Sequence, residues 1–295
     1  MKRAYTPFRL ALLAAMLCLG RVANTVAADL PPNMAQSLVL YYSFDAAPTN
    51  GVITDQSSRH NNGHVTGAQW LATGRQGGAM TFAATNNFIT VTNNDSLNLE
   101  KMTIAVWFKT AKSDPVARQI VEKRATRGYA LGLAGDSKNA HTQGRLVFTI
   151  NGRYFCRSDN VLTYGDWHHA AALFDGKEMN LYVDGRLQKQ TKPCPGALAA
   201  NPDNLTIGMN RTNPEGLEKN HSFDGALDEL MIFNRALTSD EIRSLISAAD
   251  QTGGKFKFTK QQVAGRLRQL KLLYEEGLLT EKFYNAKVAE CEAAE

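Results

Sequence analysis

The chain has 295 residues, of which 43% are hydrophobic and 21% charged, the profile of a folded globular protein and not of a disordered one. Its formal charge of +5 is concentrated at the start: residues 1–28 carry Lys2, Arg3, Arg9 and Arg21 and no acid, which leaves +1 for the remainder. A remainder so near neutrality argues against a nucleic-acid binder driven by phosphate neutralisation.

Lys2 and Arg3 precede an apolar run, Leu10 to Gly20, and Val26-Ala27-Ala28 supplies small residues before Asp29. This pattern predicts a signal peptide over 1–28 and a mature protein that is secreted or held in the periplasm or cell envelope. The alternative is an uncleaved anchor, for which the run is short. Cys18 follows Leu17 in a context that departs from a lipobox, so lipidation is not expected. No second run of about 18 apolar residues follows, so no membrane span is expected after cleavage.

Three cysteines remain: Cys156, Cys194 and Cys291. Their spacing carries no zinc signature. An exported location permits disulfides, and Cys156–Cys194 is the expected bridge, against two free buried thiols. Cys291 is either an apolar helix position or an intermolecular bridge.

From residue 38 onward, short runs rich in β-branched and aromatic residues alternate with Gly, Asn, Asp and Ser. Leu38–Phe44, Ala79–Phe82, Phe88–Val91 and Thr103–Phe108 read as strands. Arg145–Ile150 and Arg153–Arg157 flank Asn151-Gly152, a hairpin signal because both turn residues need positive φ. His168–Phe174 and Met179–Val183 flank Asp175-Gly176, and Asp184-Gly185 marks a further turn before Arg186–Thr191. Leu205–Met209 and Ala226–Phe233 close the series. No helical segment separates the strands, so βαβ units are excluded and an antiparallel sandwich or jelly roll is expected.

Thr238-Ser239-Asp240-Glu241 is a capping box, with Ile242, Leu245 and Ile246 giving the helix it starts one apolar face. Gln251 to Gly254 reads as a hinge within a linker over 250–258. Val263, Leu267, Leu270 and Tyr274 then form a helical stripe that Gly277 ends. Thr280 caps a second helix carrying Tyr284, Val288 and Cys291. Two such short helices bury little alone, so residues 259–295 are expected to pack on copies of themselves and make a homo-oligomer.

Several strings share one direction. Tyr42-Ser43-Phe44-Asp45, the loop from Asp55 to Gly63, Asp166-Trp167-His168-His169, Leu181-Tyr182-Val183-Asp184-Gly185, Phe223 to Leu230 and Asn234-Arg235-Ala236-Leu237-Thr238 occur in order. Together they make residues 36–249 resemble the laminin-G-like, concanavalin A-like jelly-roll domains of secreted bacterial proteins. Leu270 to Glu290 resembles the SHOCT short C-terminal hairpin. The resemblance implies a mainly β fold: two antiparallel sheets in a jelly-roll sandwich, plus a small C-terminal α-helical hairpin. It implies binding of a glycan or a protein, and a structural calcium near the point where the chain ends of the domain meet. The metal motifs fall on Asp45, the Asp55–Gly63 loop and Asp228. That loop departs from the family pattern at Ser58, Arg59 and His60.

Calcium takes six to eight oxygens from carboxylates, amides and backbone carbonyls, and Asp45, Asp55, Asn61, Asn62 and Asp228 can supply several. The competing account is an Asn/Asp-rich turn that caps its own backbone. Catalysis is not expected. A glycosidase needs two carboxylates facing one cleft, the Glu-x-Asp-x-x-Glu pattern is absent, and adjacent Asp228 and Glu229 point to opposite faces of a strand. His168 and His169 are likewise adjacent and cannot easily clasp one metal. Trp107 and Trp167 sit within strands and are expected in the core, whereas Trp70 and Tyr154 have polar neighbours and are the candidates for sugar stacking, against a half-buried packing role. The polar loops Asp136–His141 and Met209–Asn220 are ligand loops or solvated connectors. The sequence thus predicts an exported, non-catalytic binding module whose partner is a glycan or an envelope protein. The alternatives are a purely structural envelope component and, third, a glycoside hydrolase.

Overall fold

In the computed structural model, residues 30–252 are described except 84–85, 112–116, 125–127, 136–141, 197, 199 and 210–222; beyond 252, scattered residues between 267 and 288 are described. The expected signal peptide, most of the linker, Cys291 and most of the two long polar loops lie outside the described residues.

A short helix α1 (Pro32–Ser37) opens the domain. The strands that follow are β1 (Leu38–Tyr42), β2 (Val52–Ile53), β3 (Gly63–Thr66), β4 (Gln69–Leu71), β5 (Ala79–Phe82), β6 (Phe88–Val91), β7 (Met102–Thr110), β8 (Arg118–Arg124) and β9 (Gly128–Leu133). Then come β10 (Leu146–Ile150), β11 (Tyr154–Arg157), β12 (His168–Phe174), β13 (Glu178–Val183), β14 (Arg186–Leu187), β15 (Lys192–Pro193), β16 (Leu205–Ile207) and β17 (Gly225–Phe233). Helix α2 (Ser239–Thr252) follows.

All strand pairings among the described residues are antiparallel. The first sheet runs β14-β13-β12-β7-β17-β5-β4, with β1 on β17 and β15 on β13; the second runs β11-β10-β9-β8-β16-β6-β3-β2. The expected two-sheet sandwich is therefore present. Alternation places Ile104, Val106 and Phe108 of β7 inward against Phe148, Leu131, Val121 and Ile89 of the second sheet. Each such fully buried side chain contributes about 1.5–3 kcal/mol.

The first sheet is apolar on its outer face as well. Ala105, Ala171, Leu173, Met231 and Phe233 meet Met34 of α1 and Ile242 and Leu245 of α2. A sheet covered on both faces reads as nearly continuous apolar runs, which explains the Met102–Thr110 and Gly225–Phe233 patterns.

The capping box forms as expected. The Glu241 N–H donates to Thr238 Oγ1 at 3.2 Å and the Thr238 N–H donates to Glu241 Oε2 at 2.9 Å. Arg235 grips the same carboxylate with two bonds of 2.8 and 2.7 Å and, as the main cause, holds its pKa down at about 2. With no breaker before Gly253, α2 continues into the first residues of the expected linker. Thr238→Ala is expected to cost about 1 kcal/mol, read as a lower urea midpoint at unchanged slope.

Two expectations are corrected. Cys156 and Cys194 are free thiols, both buried. The Cys156 sulfur turns to the Gln190 carbonyl instead, and burial pushes that thiol up to about 11. The Asn151-Gly152 hairpin does form, with φ of 52° and 63°. Its register pairs Ile150 with Tyr154, however, so Arg153 belongs to the loop and not to the strand.

Candidate metal centre

Strand β1 leads into Phe44, whose φ is 57°. A bulky residue in that region is strained and marks a place the surrounding structure over-determines. Trp70 helps hold it: its indole N–H donates to the Phe44 carbonyl at 2.7 Å. The kink delivers Asp45, whose Oδ1 accepts the Gly78 N–H at 3.3 Å.

A second strained residue lies opposite. In β17 the register with β7 shifts between Asp228 and Met231, and Glu229 has φ of 51°. This bulge breaks strand alternation. The expectation that Asp228 and Glu229 point to opposite faces is therefore corrected. Asp228 stands across from Trp107 on the outer face of the first sheet. Glu229 reaches that same side, where its Oε2 accepts the Tyr41 hydroxyl at 2.8 Å.

The turn Gly74-Arg75-Gln76-Gly77-Gly78 lies across these acids. Asp228 Oδ2 accepts the N–H groups of Arg75 and Gln76 at 2.7 and 2.8 Å, and its Oδ1 accepts that of Glu229 at 2.8 Å. The turn approaches so closely that a Cβ on Gly77 would stand 1.8 Å from Asp45 Oδ1, and one on Gly74 2.5 Å from Asp228 Oδ2. Only glycine allows that approach.

Burial sets the electrostatics. Asp228 is 0% exposed, and its carboxyl is pushed up to about 8, chiefly by desolvation, with the Asp45 charge adding to it. Glu229 is raised well above the carboxylate range by burial and by Asp228 and Asp45. Asp45 is raised by burial as well. Glu229 Oε1 and Gln76 Oε1 are buried without a hydrogen-bond partner. Clustered carboxylates and orphaned oxygens form an oxygen-rich, charge-deficient centre, and that chemistry suits a hard cation such as calcium. Among the described residues, no group of three or more His, Cys, Asp or Glu side chains is arranged to hold a metal by itself. A cation here would draw on amide and backbone oxygens too.

Asp45 and Asp228 are thus brought to one centre, and Asp55 and Asn62 to another place. Asp55 accepts the N–H groups of Tyr41, Ser57 and Asn61 at 2.8, 2.9 and 2.7 Å and the Ser57 hydroxyl at 2.6 Å. Asn62 Oδ1 accepts the Asp55 N–H at 2.9 Å. Asn61 donates to the Val39 carbonyl and to Ser96 at 2.8 and 2.9 Å. This is a self-capping loop.

Glu229, Gln76 and the Gly74–Gly78 turn are members that sequence reasoning missed. Three glycines in five residues, just ahead of a strand, were the available signal.

The adjacent histidines do separate. His169 is buried against Trp107 with ring centroids 5.2 Å apart, and burial pulls its pKa down to about 4. His168 lies between Asp184 and Thr163 at 2.8 and 2.9 Å. Desolvation opposes its protonation, but the Asp184 hydrogen bond and charge outweigh it and raise its pKa. Trp107 carries the Arg75 guanidinium 4.2 Å from its ring centroid. Trp70 and Tyr154 are half-buried and packed against the main core.

Two antiparallel sheets packed face to face in this strand order define the class: a concanavalin A-like sandwich. The chain belongs to the family described as the concanavalin A-like lectin/glucanases superfamily, whose profile matches residues 82–243. No curated protein matches it. Among solved structures, the binding domain of Paraclostridial Mosquitocidal Protein 1 aligns with a TM-score of 0.59 at 18% identity, over 77% of this chain and 57% of that one. Domain 4 of AbnA, a GH43 extracellular arabinanase from Geobacillus stearothermophilus, in complex with arabinotriose, aligns with a TM-score of 0.55 at 17% identity, over 71% of this chain and 98% of that domain. The binding domain of Botulinum neurotoxin DC, in complex with rat synaptotagmin II, aligns with a TM-score of 0.55 at 17% identity, over 73% and 52%. The chain spans only about half the length of the two toxin domains. At these identities the likeness is one of fold.

Proposed function

We propose that the chain is an exported, non-catalytic binding module for a carbohydrate or protein ligand, supported by calcium and multimerised through residues 259–295. The observation that carries this reading is the burial of Asp228 and Glu229, which are 0% and 5% exposed under the Gly74–Gly78 turn. Acids so enclosed can hold a fold together but cannot meet a glycosidic bond in a cleft. Binding domains with this fold support the reading: one solved with arabinotriose and one with a protein, synaptotagmin II.

Asp45 and the unpartnered oxygens of Glu229 and Gln76 would hold the calcium together with backbone oxygens, and Asp228, capped by three N–H donors, would lend its charge from beside them. Bound there, the ion supplies positive charge that lets the buried acids ionise. The chain's own residues do the rest: the Gly74–Gly78 turn excludes water, and Tyr41 orients Glu229. Oligomerisation is supported by the amphipathic pattern of the tail; within one chain the Tyr274 and Tyr284 rings stack with centroids 4.6 Å apart and an interplanar angle of 16°, which joins the two arms of the hairpin. Joining weak sites in one oligomer raises avidity through effective concentration. Export is supported by the N-terminal pattern. Among the described residues, no helix is long and apolar enough to cross a membrane.

The test is retention of residues 29–295 on immobilised glycans and on envelope-protein extracts, with released reducing sugar assayed in parallel. Retention without sugar release is expected. Release of sugar that survives repurification would overturn the non-catalytic reading.

A further inference from the structure

A polar pocket opens at the far edge of the second sheet, remote in the fold from the carboxylate centre. It has a volume of about 660 Å³ and is lined by Arg145, Arg157, Ser158, Asp159, Lys189 and Gln190 among others. That is within the range that holds a small ligand.

Its walls are fixed by the chain's own hydrogen bonds. The edge strand β11 meets the segment after β14: the Arg157 N–H donates to Gln190 Oε1 at 3.1 Å, and the Asp159 N–H to Gln188 Oε1 at 2.9 Å. The Lys189 N–H donates to Asp159 Oδ1 at 2.9 Å. Ser158, 2% exposed, accepts the Leu146 N–H at 3.0 Å and donates to the Asn160 carbonyl at 2.7 Å.

Three cations line this frame against one carboxylate, and that carboxylate already accepts a backbone bond. Arg145 Nη1 is held by the Ser158 carbonyl at 2.9 Å and by the Asp159 carbonyl. Both are neutral acceptors, so the Arg145 charge is oriented but not neutralised. Arg157 Nε is buried without a hydrogen-bond partner. Lys189 is exposed. Two guanidiniums and an ammonium around a rigid polar cavity match the oxygens of an anion and reward bidentate contact. Outside the lining, Val161, next in sequence to Asn160, and Tyr164, over Gly144, are 47% and 38% exposed. The Tyr164 hydroxyl lies so close over Gly144, the neighbour of Arg145, that a Cβ there would be 2.5 Å from it. An exposed tyrosine beside a cationic pocket offers a sugar ring an apolar surface next to its charge partner.

We propose that this pocket binds an acidic saccharide, with Arg145, Arg157 and Lys189 receiving the carboxylate or sulfate of one sugar and Tyr164 flanking its ring. The proposal rests on the binding-module reading and names its ligand class. A nucleic acid or a broad polyanion is disfavoured, because the chain beyond residue 28 carries a net charge of only +1.

The test is affinity electrophoresis of the full mature chain in gels containing polygalacturonate (carboxylate only), dextran sulfate (sulfate only), unmodified dextran or a neutral arabinan. The wild type is compared with Arg157→Gln/Lys189→Gln, with the charge-retaining Arg157→Lys, and with Arg243→Gln on the remote helix α2. Melting curves establish that each variant is folded. Retardation by polygalacturonate, by dextran sulfate or by both is expected, and the responding gel identifies the anion. The double variant should lose roughly tenfold or more in affinity. Arg157→Lys should retain part of it, and Arg243→Gln all of it. Equal loss in Arg243→Gln would mean non-specific charge attraction and overturn the pocket. Retardation by neutral arabinan alone, unchanged in the double variant, would overturn the pocket and leave the glycan-binding reading standing. No retardation in any gel overturns the pocket; if the panel of glycans and envelope extracts also retains nothing, the binding-module reading falls with it.

Discussion

Gly74→Ala is expected to destabilise the domain by about 3 kcal/mol or more, enough to lower expression sharply or abolish folding. An added Cβ would stand 2.2 Å from the Gly78 carbonyl oxygen and 2.5 Å from Asp228 Oδ2. The first contact is with backbone, which cannot rotate away, and the second is with a carboxylate pinned by three N–H donors. Gly51→Ala is the control. Gly51 has φ of +74° with nothing within 4 Å of its added Cβ. It should cost about 1 kcal/mol, the strain of a left-handed L-residue alone. Urea denaturation of the two variants measures the difference. Similar midpoints would mean that the turn does not close on the acids as described.

The second large effect is on pH dependence in the absence of metal. Asp228 titrates at about 8 when folded and near 3.8 when unfolded, so the folded chain holds the extra proton between those values. Stability of the metal-free chain therefore falls as pH rises through that window, by an amount on the order of a few kcal/mol. Asp45 and Glu229, both raised, act in the same direction. His169 opposes them below 6.5, because its folded pKa is lowered to about 4 and folding there requires loss of a proton. His168, raised above 6.5, adds stability below that value and loses it as pH passes its folded pKa. The clean window is thus from 6.5 to above 8, where the raised groups share one sign. Melting of EDTA-treated protein should fall across it, and His168→Gln should remove only the histidine part. Calcium should flatten what remains, since a cation takes the place of the proton. A melting temperature that is constant or rising over this window would contradict the description of Asp228.

Much of the fold was legible in the sequence. β5, β6 and β12 fall on the runs that composition and turn residues mark, because each is a short, largely apolar segment with turn residues close by. β8 and β9 were not marked. In β8, Glu122 and Lys123 are 2% and 0% exposed, and polar residues that are buried read as solvated ones. Lys123 is kept inside by bonds of 2.9 Å from its Nζ to the Asn201 carbonyl and side chain, a partner too distant in sequence to foresee. In β9, Gly128 and Gly132 weaken the strand signal.

The sequence places Asp45, Asp55, Asn62 and Asp228 in one set because loop composition does not distinguish a metal ligand from a residue capping its own backbone; the structure puts Asp45 and Asp228 at one place and Asp55 and Asn62 at another. A period of two puts Glu229 on the opposite face from Asp228, and that period holds only where the ladder is regular. The bulge at Glu229 is invisible without the register of β17 on β7. The basic pocket joins Arg145 and Arg157 to Lys189, residues that converge only because β11 docks beside the segment after β14.

Calcium binding at the buried acids is measured by calorimetric titration of the EDTA-stripped full chain, repeated on Asp228→Asn, Glu229→Gln and Asn62→Ala. One saturable site per chain is expected, lost or much weakened in the first two variants and retained in Asn62→Ala, whose side chain serves the Asp55 loop. Tighter binding at pH 8 than at pH 6.5 should accompany it, because Asp228 must give up its proton. Absence of calcium binding in the wild type, or binding that survives Asp228→Asn and Glu229→Gln together, would contradict the placement of a calcium at these buried acids.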